Sequence, residues 1–205
     1  MKKILLLMIT CLLITGCTVV RIDTKSIANI TGVILEKNNS LYNHVGRGYK
    51  YYIPRGVTYI DTVGLNDVLY SNGNYYYLYI DAPRYIDKIE YEYKENNKLY
   101  YSKKIDINDK TGYLEIKEQD DMYLIKFVYN YASFEALVTE NNINEVVTNA
   151  SYILSTIKYN DKVVALMLND EYFINRDEQY KEFMSKKNSG NFLKPPDEDV
   201  IEDTE

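Results

Sequence analysis

Tryptophan is missing from the 205 residues, histidine occurs once, and both cysteines, Cys11 and Cys17, stand near the start. Each shortage closes a class of chemistry. Residues 18–205 carry no thiol, which excludes disulfides, thiol nucleophiles and thiolate zinc sites from anything built beyond Cys17. A lone His44 cannot form a His-rich zinc site, and any Ser-His-Asp triad would have to run through it. It stands in Asn43-His44-Val45-Gly46-Arg47 with no G-x-S-x-G elbow in the chain, so a loop or strand-edge histidine is expected. No P-loop and no Rossmann glycine fingerprint is present. The stretch from Asp106 to Gly112 starts like a calcium loop but lacks the ligand at position five, the Gly at six and the Glu at twelve. A polar turn is expected there. No cofactor and no metal is expected.

Basic charge is also short, 24 Lys and Arg against 30 Asp and Glu, for a net charge of −6. Without a basic stripe, binding to nucleic acid is not expected. The one sustained apolar run, Ile4 to Ile14, falls well below the roughly 20 residues that a membrane-spanning helix needs.

What is present begins around that run. Lys2 and Lys3 precede it, and Ile14-Thr15-Gly16-Cys17 follows, giving the charged, apolar and small-residue regions of a secretory signal. The string resembles the lipobox of a bacterial lipoprotein signal: aliphatic, small or hydroxylated, Gly or Ala, then Cys. That resemblance implies removal of residues 1–16, a diacylglyceryl group on the Cys17 sulfur, and a chain held on the extracytoplasmic face of the cell membrane. At least two acyl chains would hold firmly where one binds reversibly. Residues 17–23 would form the tether. Seven residues from Thr18 to Thr24 reach about 25 Å when extended, keeping the folded part close to the bilayer. Loss of Lys2 and Lys3 leaves 22 basic against 30 acidic residues, a net charge of −8.

The 23 tyrosines admit two accounts. Tyr, Asn, Lys and Ile are abundant together, as an AT-rich coding sequence produces, and Tyr is a good strand former. Alternatively, aromatics on a sheet stack on sugars or peptides, with an apolar body and a polar tip. On the second account the candidate binding residues are Tyr49, Tyr51 and Arg55, grouped beside the Pro54-Arg55-Gly56 turn. Tyr49 and Tyr51 share one strand face, and Lys50 and Tyr52 the other.

Periodicity organises the rest. Asp23 or Thr24 caps a helix over 24–37, with Ile27, Ile30, Ile34 and Leu35 on one face. From Gly48 the period becomes two. Strands are expected at Gly48–Ile53, Asp67–Tyr70, Tyr75–Asp81, Lys88–Lys94, Leu99–Tyr101, Tyr113–Lys117, Met122–Tyr131 and Phe134–Thr139, with Asn72-Gly73 as a hairpin turn. Lys88 to Lys94 alternates without a fault. The helical period then returns with Ile143, Val146, Val147, Ala150, Ile153, Leu154 and Ile157 on one face. Asp161 opens a further turn, with helix and short strand both open. The ending after Pro195-Pro196 holds six acidic residues and no basic one, so a disordered acidic tail is expected over 185–205.

The expected fold class is α+β: an antiparallel β-meander sheet packed by a C-terminal amphipathic helix, with a short N-terminal helix, as one domain over 24–184. The order of Tyr51-Tyr52-Ile53-Pro54-Arg55-Gly56, meander and closing helix resembles the Mog1/PsbP-like domain over about residues 48–158, with the helix at 24–37 as a departure. The whole chain resembles lipoproteins of low-GC Gram-positive bacteria. Neither resemblance supplies a catalytic residue. Carboxylates such as Glu90, Glu92, Asp120 and Asp121 sit on alternating or turn positions typical of solvated faces. The expected role is therefore a non-catalytic, membrane-anchored module that binds a protein partner. The alternative is a small-ligand or glycan binder using a tyrosine-rich surface.

Overall fold

The computed structural model describes residues 27–63 and 65–169. The signal over 1–16, Cys17, the tether over 17–23 and the tail over 185–205 lie outside the described residues. The chain is α+β, a seven-stranded antiparallel sheet with a short N-terminal helix and a C-terminal helix. Helix α1 (Ile27–Leu35) buries Ile30, Ile34 and Leu35 of the face expected from their spacing, together with Thr31, while Ile27 is half-buried; it packs on α3 (Ile143–Thr156).

A small three-stranded sheet has the order β1-β2-β10, from β1 (His44–Val45), β2 (Tyr49–Tyr51) and β10 (Lys158–Tyr159). The large sheet contains β3 (Thr58–Val63), β4 (Asn66–Ser71), β5 (Asn74–Ile80), β6 (Tyr101–Ile107), β7 (Lys110–Gln119), β8 (Met122–Tyr129) and β9 (Ala132–Val138). Its hairpins turn where both central residues accept positive φ, the requirement of the two-residue type I′ loop. Asn72-Gly73 has φ of 46 and 80°, Asn108-Asp109 55 and 57°, Asp120-Asp121 47 and 59°.

The strand order is β3-β4-β5-β9-β8-β7-β6, which corrects the simple meander. Two meanders meet at β5 and β9, with Ile80 opposite Ala132. The chain must therefore cross from β5 to the far edge before β6. It does so through α2 (Ala82–Asp87), a helix not expected from the sequence. Asp81 caps it by accepting from the Arg84 N–H at 3.1 Å, and a proline stands in its first turn. Pro83 suits that position because the first helical N–H groups have no partner there.

The expected strand over Lys88–Lys94 is a second correction. Those residues are in no ladder. Their alternation holds in burial only from Glu90 on: Tyr91 and Tyr93 are half-buried between exposed Glu90, Glu92 and Lys94, while Ile89 is exposed. Tyr93 stacks on Tyr113 of β7 at 4.2 Å between ring centroids. Alternation reports which side chains face inward, while pairing depends on a free neighbouring edge.

Leu69, Leu78, Leu114, Ile116, Ile125, Phe127 and Phe134 line the inner face of the sheet, and Val146, Val147, Ala150, Ile153 and Leu154 of α3 close over them; all are fully buried. Burying each larger side chain is worth about 1.5–3 kcal/mol, so this layer holds the domain together. Helix α4 (Asp161–Asn169) resolves the open choice after Asp161. Among the described residues no helix is long and apolar enough to cross a membrane.

Candidate functional site

Three features lie on or beside the small sheet: a buried polar knot and an open strand edge where it meets the large sheet, and a cleft between it and α4. The knot centres on Asp67 of β4, whose side chain is completely buried. A buried carboxylate is costly unless its lone pairs are filled. Here Tyr51 Oη donates to Oδ2 at 2.8 Å and Thr62 Oγ1 donates to Oδ1 at 2.6 Å. Since Thr62 gives its proton to Asp67, Tyr59 must be the donor in its 2.6 Å bond with Thr62. His44 Nε2 lies 3.7 Å from Asp67 Oδ2, and the imidazole is packed between the rings of Tyr51 and Tyr59 at 5.0 and 4.6 Å. His44 is thus a strand residue facing a buried carboxylate, a role that a reading of its neighbours in sequence missed. The pairing depends on two sheets meeting. What the knot does is join β2 to β3 and β4.

Tyr49 and Tyr51, named as candidate binding residues, are 3 and 0 % exposed. They are packed side chains inside the domain, which corrects the placement of a recognition face on them. Both rings belong to the core cluster, and Tyr51 reaches Asp67 of β4, so that face is covered by packing. Tyr52 N–H donates to Thr156 Oγ1 at 3.0 Å, tying β2 to the end of α3. Burial, and next the charge of Asp67, pushes both phenols far above the usual tyrosine range. Arg55 is exposed on the Pro54–Val57 turn, where the Val57 N–H reaches the Pro54 carbonyl at 3.1 Å and Gly56 takes φ of +89°. The structure does not bring Arg55 together with the two tyrosines as one surface.

The cleft, of about 660 Å³, lies between the β1–β2 turn, β10 and the start of α4. Lys50, Lys158 and Lys162 line it with Tyr49, Tyr159 and Asp161. Asp161 accepts a hydrogen bond from Tyr85 of α2, which stacks on Tyr159 at 4.0 Å. Among the described residues no cluster of three or more His, Cys, Asp or Glu is arranged to hold a metal ion.

The third feature is β3. It is the outermost strand beyond β4, with Tyr59, Ile60 and Val63 exposed by 37, 47 and 48 %. A bulge at Ile60 interrupts its pairing with β4. This strand was not expected from the sequence; its signal was the β-branched run Thr58-Tyr59-Ile60-Asp61-Thr62-Val63. No family model matches the chain, and no curated protein matches it.

Proposed function

We propose that this chain is a lipid-anchored protein of the extracytoplasmic membrane face whose domain binds an extended segment of a partner protein along β3. The lipobox at Ile14-Thr15-Gly16-Cys17 supports the address. The observation that carries the binding reading is the exposed apolar edge of β3. A strand edge presents unpaired N–H and C=O groups that an incoming strand can use, with affinity from the backbone and specificity from alternate side chains. Left unused, an apolar edge is a liability for aggregation. Tyr42 and Val45 are also exposed in and just before β1, whose His44 touches Tyr59, so the apolar surface extends past the strand. The knot behind β3 holds it in place for docking. Binding of this kind involves no covalent step and no cofactor.

Crosslinking and capture on intact cells, with Cys17 retained, tests this. An Ile60→Lys, Val63→Lys double variant should lose the partner that the parent chain captures while keeping its melting temperature. Undiminished capture by the double variant would overturn the assignment to β3. An unmodified mature chain beginning elsewhere than Cys17, found by intact-mass measurement, would overturn the anchor.

A further inference from the structure

The cleft places like charges together in a way that the fold does not need. Lys50 and Lys158 are direct cross-strand partners on β2 and β10, which sets their Cβ atoms about 4.5–5.5 Å apart. Like charges directly opposite one another weaken a sheet. Lys162 adds a third cation from the first turn of α4. The chain holds 30 acidic residues, yet none makes an ion pair with any of the three among the described residues. Lys50 rests its ammonium over the Tyr42 ring at 3.9 Å instead, and the one carboxylate lining the cleft, Asp161, is engaged by Tyr85. The repulsion is felt nearby, because Lys110 is held below the usual lysine range by burial and next by Lys158.

We infer that the cleft between β2, β10 and the start of α4 binds a phosphate-bearing ligand, with Lys50, Lys158 and Lys162 supplying the charge. Three lysines lining one concavity suit a compact, multiply charged anion, which Lys meets as a point charge without the planar geometry that Arg imposes. The volume lies within the usual range for small-ligand sites, about 300–1,000 Å³. Val45, the cross-strand partner of Lys50, and Val163 give the cleft exposed apolar surface for whatever carries the phosphate. Net negative charge on the whole chain does not oppose this. Separated charges are screened over about 8–10 Å in ordinary salt, so the local cations decide. The phosphate could belong to a soluble ester or to a lipid headgroup, and the two sources share this chemistry.

The test uses the intact chain, purified in neutral detergent at low ionic strength. Glycerol phosphate is titrated in by calorimetry in one arm. In the other, phosphatidylglycerol is doped into the micelles and amide exchange is followed at 48–50 and 158–163. Saturable binding in the first arm assigns a soluble ester, and protection in the second alone assigns a headgroup; either supports the site. A Lys50→Gln, Lys158→Gln variant should weaken the response at least tenfold with its melting temperature unchanged or raised. Lys162→Gln, outside the sheet, serves as the second variant should the pair disturb folding. No saturable response in either arm, or one indifferent to both variants, would overturn the inference.

Discussion

The two edges of the seven-stranded sheet are finished in opposite ways. At β6 the crossing segment guards the edge. Glu95 accepts the Lys104 backbone N–H at 3.1 Å and pairs with the Lys103 ammonium at 3.1 Å. Ser102 Oγ meets both the Asn96 N–H and the Tyr93 hydroxyl, and Lys103, Lys104 and Asp106 put charge outside. At β3 the exposed residues include Tyr59, Ile60 and Val63; Asp61 is its one charged side chain and takes the Thr62 N–H at 2.7 Å, and a bulge sits at Ile60. Charged, capped edges are how proteins prevent unwanted pairing. The contrast within one sheet teaches that β3 is left open while β6 is closed.

The comparison breaks most severely at the anchor beneath the open edge. Asp67→Ala should cost about 3 kcal/mol or more, because Tyr51 and Thr62 lose a buried charged acceptor. Urea unfolding would measure it, and a loss under 1 kcal/mol would show that the knot is not what holds β3. Alkaline unfolding comes next. Tyr129 is pushed up to about 12, and Tyr49, Tyr51, Tyr77 and Tyr91 further still, burial being the first cause in each. An unfolded tyrosine titrates near 10, so above that pH the unfolded chain binds fewer protons than the folded one and stability falls as pH rises. Full stability should persist below about pH 10, and phenolate absorbance should then appear in step with loss of the fold. Buried tyrosines titrating smoothly in a still-folded domain would contradict this.

Two smaller perturbations sharpen the contrast. Hydrogen bonds and the Lys103 ion pair hold the Glu95 carboxyl below the usual carboxylate range. Glu95→Ala should barely move the melting temperature while making the protein associate with itself as concentration rises, visible in sedimentation. Association unchanged by the variant would mean that β6 needs no guard. Smallest of all, Ile60→Lys should change stability by no more than about 0.5 kcal/mol, as for an exposed site. A larger loss would make Ile60 a packing residue.

What was legible beforehand was local. The Asn72-Gly73 and Asp120-Asp121 turns and the α3 stripe each show within a few residues, because turn chemistry and helical period are properties of neighbours. Strand order was not legible, since alternation along Lys88–Lys94 is satisfied equally by a ladder and by a segment laid over Tyr113. Tyr49 and Tyr51 were read from their turn, while their burial follows from packing into a core that both sheets and α3 assemble from distant parts of the chain. His44 and Asp67 meet only after both sheets exist. The lysine cleft was hidden for the same reason, as Lys50 and Lys158 become neighbours through β2–β10 pairing.

The junction of β5 with β9 also governs how fast the domain can form. Within each half, strands are joined by two-residue turns and find their partners as hairpins do, in about 1–10 μs. Joining the halves means that Ile80 must meet Ala132 with α2, the crossing segment and β6 to β8 between them. Closure entropy is lost before that contact yields any return, and pairings of high sequence separation are the slow ones. Substitutions at Tyr77, Leu78, Phe134 or Glu135, which sit on that seam, should therefore slow folding, whereas equal losses at the β3 edge should mainly speed unfolding.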